Sequence, residues 1–289
     1  MKLLVRHQTV YRYAAVAGRV AMRLKLMPVD TPVQKVLDWQ VSVNDEPLNS
    51  FRPNSYGEME AIWVRHDRTD NAVIVAEGLV ETRESHGVLG WLGGRVDPRY
   101  FLRETRLTAA SPAMRDMALR LPDEDGTLAR LHALSAAVSD AVAYRGGVTT
   151  ASTTAAEAFA LGAGVCQDHA QVFIAGARAL GIPARYVSGY LLADEGNVLH
   201  ETHGWAEALV PELGWVGFDP SNRVCVTERY LRLACGLDAD DAAPIRGSVT
   251  VAGDIWIDAD VRIAQAVDGV EERQLQRQQQ QGTQATAQG

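Results

Sequence analysis

The stretch "GVCQDHAQVFIAGARALGIPARYVSGY", residues 164–190, decides the fold. Ala170, Phe173, Ile174, Ala177 and Leu180 recur at helical spacing behind Cys166, and Gly181-Ile182-Pro183 ends the run, as glycine followed by proline should. "ARYVSGYL" then changes period and reads as a strand. The chain has only three cysteines, and one of them stands at the first turn of this helix, behind a Gly-Val step. A thiol at such a position faces unpaired backbone N–H groups and the positive end of the helix dipole, which favour thiolate. The same N–H groups can hold an oxyanion formed when the thiolate attacks a carbonyl.

Upstream, residues 1–86 read as an antiparallel β domain, a sandwich or open barrel. "KLLVRHQTVYRY", "RVAMRLKLMPV", "QKVLDWQVSVN", "EMEAIWVRH" and "NAVIVAEGLVETRE" are five strand candidates separated by turn-rich segments. Residues 87–110 form a connector. The period then becomes helical. Ser111 caps a helix that has Pro112 at its first position, Leu128, Leu131, Leu134 and Val138 share one face of a second, and "TTAAEAFALG" is a short third. After the Cys166 helix come the strands "THGWAEALV" and "GWVGFDP", with "SVTVAG" and "DIWIDADVRI" further on. Helices followed by an antiparallel run of strands give an α+β core over 111–270. Residues 271–289 are a Gln-rich, low-complexity tail with no apolar face, expected to be disordered.

With 289 residues and 47% hydrophobic composition the chain can bury two cores. A net charge of −8 speaks against nucleic acid and anionic membrane as partners. No run of eighteen apolar residues occurs and no secretory signal is read at the start. The odd, sparse set Cys166, Cys225 and Cys235 argues against a disulfide framework and for a reducing, cytoplasmic setting.

A cysteine nucleophile needs a base, and the base an orienting group. "HETHGWAEALVPELGWVGFDP" supplies His203 at the head of one strand and Asp219 near the end of the next, with "PELG" as the turn between. With Glu212 and Leu213 at the tip, His203 and Asp219 are near neighbours but not a direct pair, and whether they share a face stays open. His200 is the rival base in "HETH", but it lies in a polar loop. The i,i+3 spacing of the two histidines is not that of a zinc protease.

Together "GVCQDHA", "GIPARYVSGYL", "THGWAEALVPELGWVGFDPSN" and "DAAPIRG" resemble the bacterial transglutaminase-like superfamily. The opening strands, with "RHQTVYRY", "LKLMP" and "VET", resemble the β domain that often precedes that core. The resemblance spans nearly the whole chain apart from the connector and the tail. It implies a papain-like fold with a Cys-His-Asp triad, in which Cys166 is the nucleophile, His203 the general base and Asp219 the orienting carboxylate. Two departures stand out: His169 sits where an aromatic is expected, and Gly204 where a larger residue is usual.

Other residues have ordinary readings. Asp168 complements the helix dipole or holds a local hydrogen bond. His169 is a helix-surface histidine or a rim of the site. Trp205 and Trp215 pack the hairpin, and either is able to wall the cleft. Tyr144 is a weak candidate for an oxyanion hydroxyl. Cys225 and Cys235 are buried thiols. Gln276 to Gln281 are solvated tail rather than self-substrates.

The expected activity is thiol-dependent attack on an amide of a peptide or protein, through a thioester, with water or an amine completing the reaction. Hydrolysis is preferred over transglutamination. A binding module that has lost its chemistry is the rival class, and a redox or metal protein would want a C-x-x-C or a ligand cluster. No cofactor is called for, and no acidic loop has the spacing of a calcium site. Oligomeric state stays open.

Overall fold

The computed structural model describes residues 1–123, 125–192 and 202–266. His200 and the Gln-rich tail therefore lie outside the described residues.

The five opening strands are β1 (Lys2–Ala17), β2 (Arg19–Met27), β3 (Gln34–Val43), β4 (Met59–Arg65) and β5 (Thr69–Thr82). Burial alternates residue by residue along β5, as a strand with one face inward requires. After them come a short strand β6 (Val88–Gly90) and the helices α1 (Pro112–Leu119), α2 (Gly126–Ala141), α3 (Ala155–Leu161) and α4 (Cys166–Ala179). Four strands follow, β7 (Ala184–Leu191), β8 (His203–Val210), β9 (Gly214–Asp219) and β10 (Tyr230–Gly236), and then the pair β11 (Ile245–Thr250) and β12 (Ile255–Gln265). The helix ends obey local chemistry. Ser111 Oγ accepts the Met114 N–H, and Thr154 and Glu157 form a capping box on α3.

Two antiparallel sheets make the β domain. One has the order β12-β1-β5-β3 with Glu46–Pro47 at its edge; the other runs β11-β2-β4 and ends at Arg52–Pro53. Leu3, Val5, Leu24, Ile74 and Val80 fill the core between them. A third sheet, ordered β10-β7-β8-β9 and extended by Val224–Cys225 beyond β9, carries α4 against β8. All of α4 from Asp168 to Arg178 is buried, because α1, α2 and α3 enclose the side the sheet leaves open. Gly176 permits this crowding: a Cβ there would come within 2.8 Å of Leu134 Cδ1. Arg178 ends the buried stretch with its guanidinium donating to the carbonyls of Phe101, Ala184 and Leu237 and to Thr108 Oγ1.

Two features differ from the sequence expectation. The strands at 245–250 and 255–265 exist, but they do not extend the core sheet. β11 pairs with β2 from Ile245↔Leu24 to Thr250↔Arg19, and β12 pairs with β1 from Leu3↔Gln265 to Tyr13↔Ile255. An edge strand of either sheet offers the same backbone groups, so local pattern does not choose the partner. In the expected connector, β6 joins the core sheet by pairing with β9, and the one-turn helix Pro98–Leu102 buries Phe101.

The two units are tied by buried charge. Lys25, 1% exposed, donates to the carbonyls of Cys235 and Asp241. Glu58 meets Arg232 at 3.0 Å, Arg232 meets Glu207 at 2.8 Å, and Arg185 meets Glu207 at 2.6 Å. Burial raises the Glu207 carboxyl, but Arg232 and Arg185 outweigh it and hold the group below its ordinary range.

Candidate active site

Cys166 opens α4 directly after the N-cap Val165. Asp168 Oδ2 accepts the Val165 N–H at 2.8 Å and the Thr149 hydroxyl at 2.7 Å, so the first turn is locked from inside. Gly164 makes room for this carboxylate: a Cβ there would lie 2.6 Å from Asp168. The local hydrogen bond expected of Asp168 is present. The backbone N–H groups of Cys166 and Gln167 are at the first two helical positions, where no acceptor exists within the helix.

The hairpin of β8 and β9 brings His203 to Asp219. Its turn, Pro211–Leu213, is one residue longer than the two-residue tip expected, and Gly214 at φ +81° closes it in the left-handed region. Ala206 then pairs with Phe218 and Leu209 with Trp215. Continued one step, this register sets Trp205 opposite Asp219, with His203 two residues along on the same face. His203 Nε2 lies 2.6 Å from Asp219 Oδ2. The open question of face is answered: the two side chains share one.

Asp219 is saturated. Its Oδ1 accepts from the Ser221 hydroxyl at 2.5 Å and the N–H groups of Ser221 and Asn222; its Oδ2 accepts from Asn222 Nδ2 at 2.7 Å and the Tyr230 hydroxyl at 2.8 Å besides His203. Burial raises this carboxyl, but the hydrogen bond and charge of His203, with Ser221 and Asn222, bring it down to about 2. Burial likewise pulls the His203 imidazole down, but its hydrogen bonds to Asp219 and Cys166 and the charges of both raise it to about 10. With Nε2 committed to Asp219, Nδ1 is the nitrogen left for Cys166. Trp205 stacks on the His203 ring at 6.2 Å between centroids, and Tyr230 packs edge-on against Trp205 at 5.4 Å, so the imidazole is fixed in its plane.

Tyr186 stands beside this array. Its hydroxyl occupies the place where a Cβ on residue 204 would be, at 1.8 Å from that position, which is why a glycine follows His203. Burial, then the charges of Cys166, Asp168 and Asp219, push the phenol well above its usual range, so it stays a proton donor. The departure at Gly204 noted in the sequence is thus matched by a tyrosine on the neighbouring strand.

Several sequence candidates fall elsewhere. His169 is not on the surface: at 2% exposure its ring nitrogens lie 2.9 Å from the Val165 carbonyl and 2.7 Å from the Val142 carbonyl, pinning the start of α4 to the end of α2. Tyr144 pairs with Gly164, stacks on His169 and lines a second pocket, of 390 Å³, with Ser221 and Arg223 rather than the one that Cys166 faces. Trp215 packs under the Arg185 guanidinium at 3.8 Å and against Phe101, while Trp205 is the tryptophan that touches the site. Cys235 is fully buried and held up at about 12, burial being the main cause; Cys225 is half-buried and raised by burial. Ser221, Asn222, Tyr186 and Tyr230 were not singled out in the sequence. The first two could have been found, since an Asp-Pro-Ser-Asn run lets an aspartate accept from its own successors. Among the described residues no group of three or more His, Cys, Asp or Glu is arranged to hold a metal.

Cys166 and His203 face a cavity of about 630 Å³, with Gln167, Tyr186, Ser188 and Gly204 on the same wall. The Cys166 thiol at a helix N-terminus, the His203 imidazole at its side and the buried Asp219 carboxylate behind it thus form one contiguous array on the cavity wall. Residues 115–220 match the transglutaminase-like superfamily, and residues 3–81 match the bacterial transglutaminase-like N-terminal region. The chain belongs to the transglutaminase-like superfamily and carries its bacterial N-terminal region.

An uncharacterized protein of Mycobacterium tuberculosis is 27% identical over 271 residues, covering 85% of this chain and 86% of its own length. A protein-glutamine gamma-glutamyltransferase of Pseudomonas aeruginosa is 40% identical over 68 residues, which is 21% of this chain and 10% of that protein. The fold is shared with a protein from Cytophaga hutchinsonii provisionally assigned as a cysteine protease, at a TM-score of 0.71 and 24% identity, over 93% of this chain and 92% of that one.

Proposed function

We propose that this protein is a thiol-dependent amide-bond enzyme, a cysteine peptidase or amidase acting on peptide or protein substrates. The observation that carries the reading is the single array of Cys166 at the α4 N-terminus, His203 beside it and Asp219 at 2.6 Å from His203. Cys166 Sγ attacks the carbonyl carbon while His203 holds the thiol proton. The oxyanion takes hydrogen bonds from the Cys166 and Gln167 N–H groups. His203 Nδ1 then passes the proton to the departing amine, and a thioester to Cys166 remains. Water, deprotonated by His203, releases the acid and restores the thiol. Asp219 keeps the ring oriented and balances its charge throughout. Transfer of the acyl group to an amine is the competing second half-reaction. A reducing compartment belongs to this reading, supported by three cysteines that are all unpaired.

The test is alkylation by iodoacetamide between pH 5 and 9, read by peptide mass, with Cys225 and Cys235 as internal standards. Cys166 is expected to label at least tenfold faster than Cys225 at pH 6, and His203→Ala to abolish that advantage. If Cys166 is accessible yet labels like Cys225 in both proteins, the nucleophile reading fails. Incubation of a glutamine-containing protein with a fluorescent primary amine then separates the two outcomes: free acid marks hydrolysis, and covalent fluorescence marks transfer.

A further inference from the structure

The catalytic cavity has a second wall that the superfamily core does not supply. It comes from β1 and β12, where Tyr11 pairs with Ile257, Thr9 with Ala259 and His7 with Val261, and all six residues line the cavity. Alternate residues of a strand share a face, so these six form one patch of the sheet turned toward Cys166. The patch is sealed at its deep end, where His7, Thr9 and Val261 are buried, and open at its mouth, where Ile257 is 62% exposed.

The polar atoms at the deep end are already used. His7 Nδ1 lies 2.9 Å from the Tyr190 hydroxyl, and His7 Nε2 lies 3.0 Å from Thr9 Oγ1. Burial lowers His7 to about 4 and raises Tyr11 to about 12, so both are neutral at physiological pH. Asp258 is the one acidic or basic residue that β12 adds to the cavity lining. An anionic substrate side chain seated on this patch would lose water and meet only Asp258, and a cationic one would have that single carboxylate against its desolvation, whereas an apolar one would cover apolar surface.

The edge itself points the same way. Among the described strands β12 ends its sheet, and it exposes Ile255, Trp256 and Ile257 in succession. The charges of this edge, Asp258, Asp260 and Arg262, begin only after that run, and an uncharged edge segment is where an extended chain can pair.

We propose that the β1–β12 face is the acyl-donor subsite of the cleft: the substrate peptide lies extended along the β12 edge, and an uncharged apolar side chain near the scissile amide sits against Tyr11, Ile257 and Ala259. This assignment rests on Cys166 being the nucleophile, and it names the substrate class of that same site.

The test uses the full chain and tripeptidyl acyloxymethyl ketones that vary Leu, Phe, Asp and Lys at each of the two residues nearest the electrophile. The rate of Cys166 modification is divided by its iodoacetamide rate in the same protein. Leu or Phe at one of these positions is expected to react at least tenfold faster than Asp or Lys. Ala259→Trp, which fills the mouth, and Ile257→Asp, which charges it, are each expected to lower the normalised rate with the Leu or Phe probe at least tenfold. Both positions are exposed, and a thermal melt checks folding. Iodoacetamide labelling at Cys166 with no side-chain preference, or a preference that neither variant changes, overturns the subsite and leaves the nucleophile standing. Failure of iodoacetamide itself to favour Cys166 over Cys225 overturns both.

Discussion

Replacing Gly204 by alanine tests how His203 is held. The new Cβ would lie 1.8 Å from the Tyr186 hydroxyl oxygen and 2.7 Å from Cζ. Ordinary non-bonded contact needs about 3.5 Å, so the hydroxyl must retreat by roughly 1.5 Å. Tyr186 is 5% exposed and packed in the core beneath α4, and the space beside it is the cavity that it lines with Cys166, so its retreat disturbs the site. Overpacking of this size costs about 3 kcal/mol, the upper part of its usual range. For a chain of this length that is a fall in Tm of roughly 6–12 °C. Because residue 204 adjoins His203 on β8, the same displacement moves the imidazole from Cys166, and iodoacetamide labelling at pH 6 is expected to fall at least tenfold. Tyr186→Phe removes the closest atom. The double variant Gly204→Ala with Tyr186→Phe is therefore expected to recover at least half of the lost Tm, a coupling of about 1 kcal/mol or more. Calorimetry on the four proteins of the cycle gives the number. A Gly204→Ala protein that melts within 1 °C of the parent, or the same loss in both backgrounds, refutes the account of why glycine stands there.

Other outcomes follow from the buried polar groups. Asp219→Ala leaves the His203 ring and the Ser221, Asn222 and Tyr230 donors without an acceptor, and is expected to cost about 3–5 kcal/mol by urea unfolding as well as Cys166 reactivity. The stability that His203 draws from the pair is complete below its unfolded pKa of about 6.5 and is lost as pH rises through about 10; that of Asp219 is complete above about 3.9 and is lost as pH falls through about 2. The urea-midpoint gap between the parent and Asp219→Asn should therefore be widest between pH 4 and 6.5 and shrink toward pH 10. His7 has the opposite slope. Its folded value of about 4 lies below the unfolded one, so the unfolded chain takes up the proton first and stability falls as pH drops from about 6.5 to 4. His7→Gln should flatten that limb of the pH profile. Glu58→Ala removes one of the two carboxylates that hold Arg232 and the acceptor of the Cys235 N–H at the junction of the two units, and a loss of about 3 kcal/mol is expected in the same assay.

The positions of Cys166, His203 and Asp219 were legible because each sits at an element boundary that local chemistry marks: a Gly-Val step before a helix, a strand head, a strand end before proline. The register between His203 and Asp219 was not. β8 and β9 are buried on both faces almost throughout, so no apolar–polar alternation signals which side chains share a face. For the same reason β10 went unread, and with it Tyr230, whose hydroxyl completes the Asp219 shell. His169 looked like a surface residue because helical periodicity was taken to leave a solvent side, which the surrounding helices remove from α4. The strands at 245–265 were visible from their β-branched runs, but their partners lie at the other end of the chain, where no local pattern reaches.

The pairing of β12 with β1 also sets an order of events during synthesis. Cys166, His203 and Asp219 lie in the interior of the chain, whereas the second wall of the cleft needs Tyr11 from its beginning and Ile257 from a segment made on the order of 250 residues later. A chain emerging from the ribosome thus acquires its thiol and imidazole before it acquires a complete cleft. Substrate would engage only after the late strand has closed on the first one, so maturation of the site is timed by topology.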